Sequence, residues 1–246
     1  MRVLVLGGTG EGRALADRLH DHPGVDVVSS LAGRLREPGL PAGATRVGGF
    51  GGTAGLAAFL REGPVDRVVD ATHPFATTIT AHALAACTDV GVPLLVVRRP
   101  GWTARPGDRW ERVPSSAAAA LAVASRPPGA ALLTIGRRDV APFAADGSRH
   151  YVVRCIDPPA APLPPRHTVV LARGPFALDG ERATLRRHAV TVLVTRHSGG
   201  VLTSAKLDAA REAGVPVVLV DRPPPPPGVA VVPDVEGALR WLATPS

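Results

Sequence analysis

The chain has 246 residues, 45% of them hydrophobic and only 4% aromatic, and a formal net charge of +7. That apolar share is enough for sizeable cores, which excludes a disordered chain, and the length suits one domain or two small ones. No run reaches the roughly 18–20 apolar residues of a spanning helix, and the first apolar run is too short for a signal peptide, so a globular cytoplasmic protein is expected. The chain opens with Val3-Leu4-Val5-Leu6, four aliphatic residues that suit a strand buried on both faces. Gly7-Gly8-Thr9-Gly10-Glu11-Gly12-Arg13 follows at once, and Ala14 to Leu19 reads as the first turns of a helix. Strand, glycine turn and helix together aim backbone N–H groups at a phosphate, although glycine turns also arise for steric reasons alone. The strict dinucleotide fingerprint wants a third glycine where Arg13 stands, so this cation is expected to point outward, onto a phosphate or a substrate carboxylate.

Strand and helix signals then alternate. Val25–Ser30 reads as a second strand, Thr45–Val47 as a short third, Thr53–Arg61 as a helix, Val65–Asp70 as a fourth strand, 77–90 as a helix and Val92–Val97 as a fifth strand. Repeated units of this size imply a parallel sheet with helices on both faces. Glycine and polar clusters at 7–12, 29–34, 48–52 and 70–76 each follow a strand, and in an open parallel sheet such ends converge on one crevice. The punctuated segment 101–114, with Trp102 and Trp110, reads as a connection between domains 1–100 and 115–246. In the second half, Ser115 or Ser116 is expected to cap a helix at 117–125. Strands are expected at 131–135, 151–156, 168–172, 190–195 and 215–220, and helices at 204–213 and 235–242. Prolines 223–227 read as a stiff connector. The expected fold class is α/β, two doubly wound domains with parallel sheets and a cleft between them.

Ser30 and Arg34 stand at the end of the second strand with no acidic residue between Ser29 and Arg36. A carboxylate there would bind a ribose 2′-hydroxyl, whereas an arginine accommodates a 2′-phosphate, so the expected cofactor is NADPH rather than NADH. Asp70-Ala71-Thr72-His73-Pro74-Phe75-Ala76 puts an acid, a hydroxyl and an imidazole at one strand end, with His73 held extended by Pro74 and able to orient a nicotinamide or move a proton. Three later strand ends carry Gly136-Arg137-Arg138, Arg173-Gly174-Pro175-Phe176 and Thr195-Arg196-His197-Ser198-Gly199-Gly200, with Lys206 downstream. Arginine beside glycine suits carboxylates or phosphates. Nothing near Lys206 in sequence would lower its pKa, so an anion contact is expected of it rather than Schiff-base chemistry. Dispersed arginines and scarce aromatics argue against nucleic acid and for a small polyanionic ligand. Cys87 and Cys155 read as buried inert thiols, and the histidines never pair at ligand spacing, so no metal site is expected.

Taken in order, Leu6 to Arg13, Ala32-Gly33-Arg34, Gly48-Gly49-Phe50-Gly51-Gly52, Asp70 to Ala76, Arg99-Pro100-x-Trp102, Thr134 to Arg137, Ala172 to Phe176 and Ser198-Gly199-Gly200 with Lys206-Leu207 resemble the precorrin-6A reductase family of cobalamin biosynthesis over nearly the whole chain. The resemblance implies two Rossmann-like domains and an NADPH-dependent reduction of the tetrapyrrole precorrin-6A to precorrin-6B. It implies a polycarboxylate substrate and no nucleic-acid or membrane partner. A related activity on the cobalt-containing intermediate, often with NADH, is the alternative, and a dinucleotide-binding sensor without catalysis is a further one. The cofactor residues so implied are Gly8, Thr9, Gly10, Glu11, Gly12, Arg13, Ser30, Arg34, Gly49, Phe50, Gly51, Thr72 and His73, the last also the candidate proton donor or orienter. Those expected to meet the substrate are Arg99, Gly136, Arg137, Arg173, Ser198, Gly199, Gly200 and Lys206.

Overall fold

The computed structural model describes residues 1–31, 40–159 and 162–244. Two compact units form, one from Met1–Pro100 with Pro223–Ser246 and the other from Gly101–Arg222. Among the described residues each unit holds one six-stranded parallel sheet.

In the first unit β1 (Arg2–Leu6) is central, with β2 (Asp26–Leu31) and β3 (Ala44–Val47) on one side. On the other side lie β4 (Arg67–Asp70) and β5 (Leu94–Val97). Val3 and Val5 face one hydrophobic layer with Leu15 and Leu19 of α1 (Gly10–His20), while Leu4 and Leu6 face the other with Leu56 and Leu60 of α2 (Gly52–Glu62) and Ala83 of α3 (Thr77–Val90). Successive strand residues point to opposite faces, so a strand covered on both must be apolar throughout, and β1 is.

The second unit is built on β7 (Ala130–Thr134). β8 (His150–Cys155) and β9 (His167–Leu171) lie on one side, and β10 (Val190–Arg196) and β11 (Val217–Val220) on the other. Its core includes Leu132, Val152, Leu193, Leu207 and Val217, with Trp102 and Trp110 packed against it. Its helices are α4 (Ser116–Ala124), capped by the Ser115 hydroxyl accepting from the Ala118 N–H at 3.1 Å, α5 (Leu178–Arg187) and α6 (Ala205–Glu212).

The domain division differs from the expected one at both edges. Segment 101–114 is part of the second unit and carries β6 (Trp110–Val113), which pairs with β11. The expected second domain, 115–246, loses its last stretch: β12 (Ala230–Val232) pairs with β5 in the first sheet. The helix α7 (Val235–Ala243) then buries Ala238 and Leu242 in the layer that holds α1. Asp234 caps α7 by accepting the Gly237 N–H at 2.7 Å, and at its other end Arg67 donates to the carbonyls of Trp241 and Thr244 at 2.8 and 2.6 Å. Both unforeseen strands are edge strands of three or four residues, half exposed, and such strands carry little apolar patterning. Helix α5 was hidden because its inward stripe includes Glu181, 2% exposed, where an apolar residue would have marked the period. No helix among the described residues is long and apolar enough to cross a membrane.

Candidate functional site

In the first unit backbone bonds tie the strand ends together. Gly7 N–H donates to Ser30 O at 2.9 Å, Ala71 N–H to Leu6 O at 2.9 Å and Gly48 N–H to Leu31 O at 2.8 Å. Thr9 is the N-cap of α1: its hydroxyl accepts the Gly12 N–H at 3.1 Å and donates to Ala71 O at 2.6 Å. The cap thus links the first strand end to the fourth. Gly8 turns the chain at φ +114°. The close helix–strand contact expected at Arg13 falls instead at Gly12, where a Cβ would meet Gly7 Cα at 3.2 Å and Ala71 at 3.4 Å. Arg13 is exposed one residue further on. The first-turn N–H groups of Gly10 and Glu11 have no acceptor within the helix, as at every helix start, so this end is a donor site for an anion.

Glu11 would repel such an anion, but it is paired with Arg99 at 2.8 Å, both side chains mostly buried. Arg99, expected to meet substrate, is therefore placed beside the glycine turn. Ser30 is buried at the end of β2. Arg34 lies outside the described residues. In the 48–51 loop, Phe50 stacks edge-on against Phe59 at 5.2 Å, and Arg46 donates to Gly48 O and Gly49 O at 2.6 and 2.8 Å. Gly51 caps α2 with φ +81°. Gly55 lets the loop lie on α2, since a Cβ there would fall 1.7 Å from Phe50 O.

At the end of β4, Asp70 is 1% exposed and accepts the Thr72 N–H at 2.9 Å and the Thr80 hydroxyl at 2.5 Å. His73 Nδ1 accepts the Phe75 N–H at 3.3 Å, which leaves the neutral ring's proton on Nε2. A cavity of about 300 Å³ opens here, lined by Asp70, Thr72, His73, Thr77, Thr80 and Arg98 among others, with prolines 224–227 along one wall. The polyproline stretch, read from sequence as a connector, is thus part of the site.

In the second unit the predicted residues fall into two sets. Gly136 turns at φ +84° over the Arg196 guanidinium, whose Nε donates to Asp139 at 2.9 Å, while Arg137 lies 3.7 Å from Asp157 and is half exposed. Arg173 is exposed. Ser198, Gly199 and Gly200 form the turn after β10, where Trp102 Nε1 donates to Gly200 O at 2.7 Å and His197 Nε2 donates to Trp102 O at 2.9 Å. Lys206 is 6% exposed, with its ammonium 5.4 Å from the centre of the Trp102 ring and no ion pair to a carboxylate among the described residues. Burial first, and the nearby Arg154 second, lower its pKa from 10.5 to about 8 against the opposing pull of Glu181. This corrects the expectation of an unshifted amine: the cause lies in residues distant in sequence. Arg154 and Glu181 form a buried two-pronged pair at 2.9 and 2.9 Å, with Phe176 stacked 4.1 Å from the guanidinium. Sequence reasoning missed Arg46, Arg154 and Glu181, and named Trp102 only in the connection and in the resemblance, with no role. Only Arg46, a cation at a strand end beside glycines, carried the signal used elsewhere.

Both thiols are buried and held protonated, Cys87 pushed up to about 12 by desolvation and Cys155 raised for the same reason. Among the described residues no three His, Cys, Asp or Glu gather to hold a metal ion.

Residues 2–243 match the family model described as "Precorrin-6x reductase CbiJ/CobK". The chain is 52% identical over 244 residues to a precorrin-6A reductase of Rhodococcus erythropolis, covering 99% of this chain and 98% of that one. It is 49% identical over 243 residues to a precorrin-6A reductase of Mycobacterium tuberculosis, covering 98% and 97%. A solved structure titled "CobK precorrin-6A reductase" superposes with a TM-score of 0.89 at 45% identity, covering 99% of this chain and 96% of that one.

Proposed function

The chain belongs to the precorrin-6x reductase family, and from that premise we propose that it is an oxidoreductase reducing the precorrin-6A macrocycle to precorrin-6B in cobalamin biosynthesis, with NADPH as the donor. The observation that carries the cofactor half is the packing of Gly12 against Gly7 and Ala71, which seats the start of α1 on the β1 and β4 ends. The residues fit a dinucleotide: Gly8 has open space around it, the first-turn N–H groups of Gly10 and Glu11 suit a pyrophosphate, and Arg99 neutralises Glu11. A dinucleotide held by the glycine turn and the start of α1 would supply the hydride for a ring carbon, with a proton needed at the neighbouring atom. The 48–51 loop and the Thr72–His73 segment orient the cofactor and exclude water, which is most of the protein's contribution to such a step. His73, with its proton on Nε2, is the candidate to hold or deliver the proton. Ser30, together with the absence of a carboxylate at the end of β2, supports a 2′-phosphate over a free hydroxyl.

The second unit supplies the substrate contacts in this reading. Arg137 and Arg173 are exposed or half-exposed guanidiniums, and Lys206 is a buried ammonium with no ion-paired carboxylate among the described residues, which suits the carboxylates of a tetrapyrrole. Arg13, exposed beside the glycine turn, is a further candidate for a carboxylate or phosphate. The test is NADPH oxidation followed with purified precorrin-6A beside its cobalt-containing counterpart. Consumption of NADPH with the metal-free substrate is the expected result. Turnover of the cobalt form alone, or with NADH alone, would replace this assignment with the cobalt-precorrin activity.

A further inference from the structure

Arg46 is the third residue of β3, and its partner across the β2–β3 register is Ser30. Partners in a parallel pair present their side chains on the same face, so Arg46 stands on the side of the sheet where Leu6, the partner of Ser30 in β1, packs against α2. In a sheet of this strand order, the end of the second strand is where the 2′ position of an adenosine ribose is read. A carboxylate there selects the hydroxyl, and a guanidinium accommodates the phosphate. The strand ends in Ser29-Ser30-Leu31, none of them charged, and the neighbouring strand brings Arg46 beside that end.

The guanidinium is fixed. Two of its five N–H groups are taken by the carbonyls of Gly48 and Gly49 at 2.6 and 2.8 Å. Its carbon lies 4.1 Å from the centre of the Phe50 ring and 5.9 Å from that of Phe59. Among the described residues no carboxylate forms an ion pair with it. Carbonyl acceptors orient a cation without neutralising it. Arg46 is therefore a rigid, half-buried positive charge with donors to spare. A planar fork held in place loses little further entropy on meeting a phosphate.

We infer that Arg46 binds the 2′-phosphate of NADPH and sets the preference for NADPH over NADH. The inference rests on the reductase reading above and deepens its cofactor half. It is tested by calorimetric titration of the ligand-free protein with 2′,5′-ADP, 5′-ADP, NADPH and NADH, for the wild type, Arg46→Ala and Arg46→Lys. Arg46→Ala should weaken 2′,5′-ADP and NADPH by about 10- to 100-fold, the range of a charge-assisted bond, and leave 5′-ADP and NADH within about twofold. Arg46→Lys should recover part of the loss, because the charge returns without the fork. Raising salt should weaken NADPH binding in the wild type more than in Arg46→Ala. Equal losses for the phosphorylated and unphosphorylated ligands would overturn the inference, since they would mean that Arg46 only staples the 48–51 loop. An unchanged affinity series would overturn it too. A wild type that binds NADH as tightly as NADPH would sink this assignment and leave the reductase reading standing with a different donor. A wild type that binds neither dinucleotide would sink both.

Discussion

The two units share the order of five strands, while the sixth, at the edge, is the last strand of the first unit and the first strand of the second; they also differ in the segment after the central strand. In the first, β1 runs through the glycine turn directly into α1, eleven residues long, so the crevice meets a helix start with free backbone donors. In the second, β7 runs into Gly136-Arg137-Arg138 and then only the three-residue 3₁₀ turn Ala141–Phe143 before β8. Strand order alone places a crevice at the same point in both sheets. The groups that fill that crevice depend on whether the first crossover is a helix. Where it is, backbone N–H groups and the helix dipole attract the anion at no cost in buried charge. Where it is not, such donors are lacking, and the substrate contacts proposed for that unit are side-chain cations, the buried Lys206 of α6 among them.

Four substitutions test this contrast. The largest effect is expected from Glu181→Ala in the second unit, which leaves Arg154 buried without its partner and beside Lys206. Breaking such a pair costs about 3–5 kcal/mol, measurable by chemical denaturation. A loss under about 1 kcal/mol would mean that the pair is not the structural centre of that unit.

Gly12→Val is the matching change in the first unit. Its Cβ would sit 3.2 Å from Gly7 Cα and 3.4 Å from Ala71, so α1 must lift from the strand ends. Overpacking of this kind costs about 1–3 kcal/mol, and affinity for 5′-ADP should fall with it. Retained affinity would separate the anion site from the Gly12 contact.

Lys206→Met acts in the opposite sense. The folded-state pKa is about 8 against 10.5 for the ordinary amine, so between those values the unfolded chain holds more proton. Stability contributed at this position therefore rises with pH from about 8 to 10.5, and at pH 7 the buried charge costs about 3 kcal/mol. The methionine variant should be more stable at pH 7, lose that pH dependence and bind a polycarboxylate tetrapyrrole more weakly. In the wild type, binding of a carboxylate at Lys206 should weaken as pH rises through about 8, because the amine loses its charge. Titrations at pH 7 and pH 9 on both proteins would decide the point.

The smallest effect is expected from Thr80→Val, which removes one of the two donors to the buried Asp70 carboxylate. A loss of about 1–2 kcal/mol is expected, together with faster hydrogen exchange at the Thr72 amide as the segment bearing His73 loosens. Unchanged exchange at Thr72 would mean that the backbone of the segment does not depend on the Thr80 bond.

Much of this architecture was legible in the residues themselves. The run Val3 to Leu6 marked a doubly buried strand, the glycines marked the turn, and Ser115 marked a helix start, because each signal lies within a few neighbours along the chain. Of the strand-end clusters, 70–76 lies on the cavity of the first unit, and backbone bonds join the strand ends that carry 7–12 and 48–52. The features that the tertiary structure alone decided depend on partners far apart in sequence. Arg67 holds the end of α7 from 174 residues away, and that return of the C-terminal segment gave β12 to the first sheet. Glu181 reads as a surface residue until Arg154, 27 residues earlier, meets it inside the second unit. The close contact fell on Gly12 rather than Arg13 because Ala71, at the end of another strand, sets the distance. Lys206 reads as an ordinary amine in sequence and becomes a depressed one in the fold, since burial and the charge of Arg154 are properties of the packed molecule.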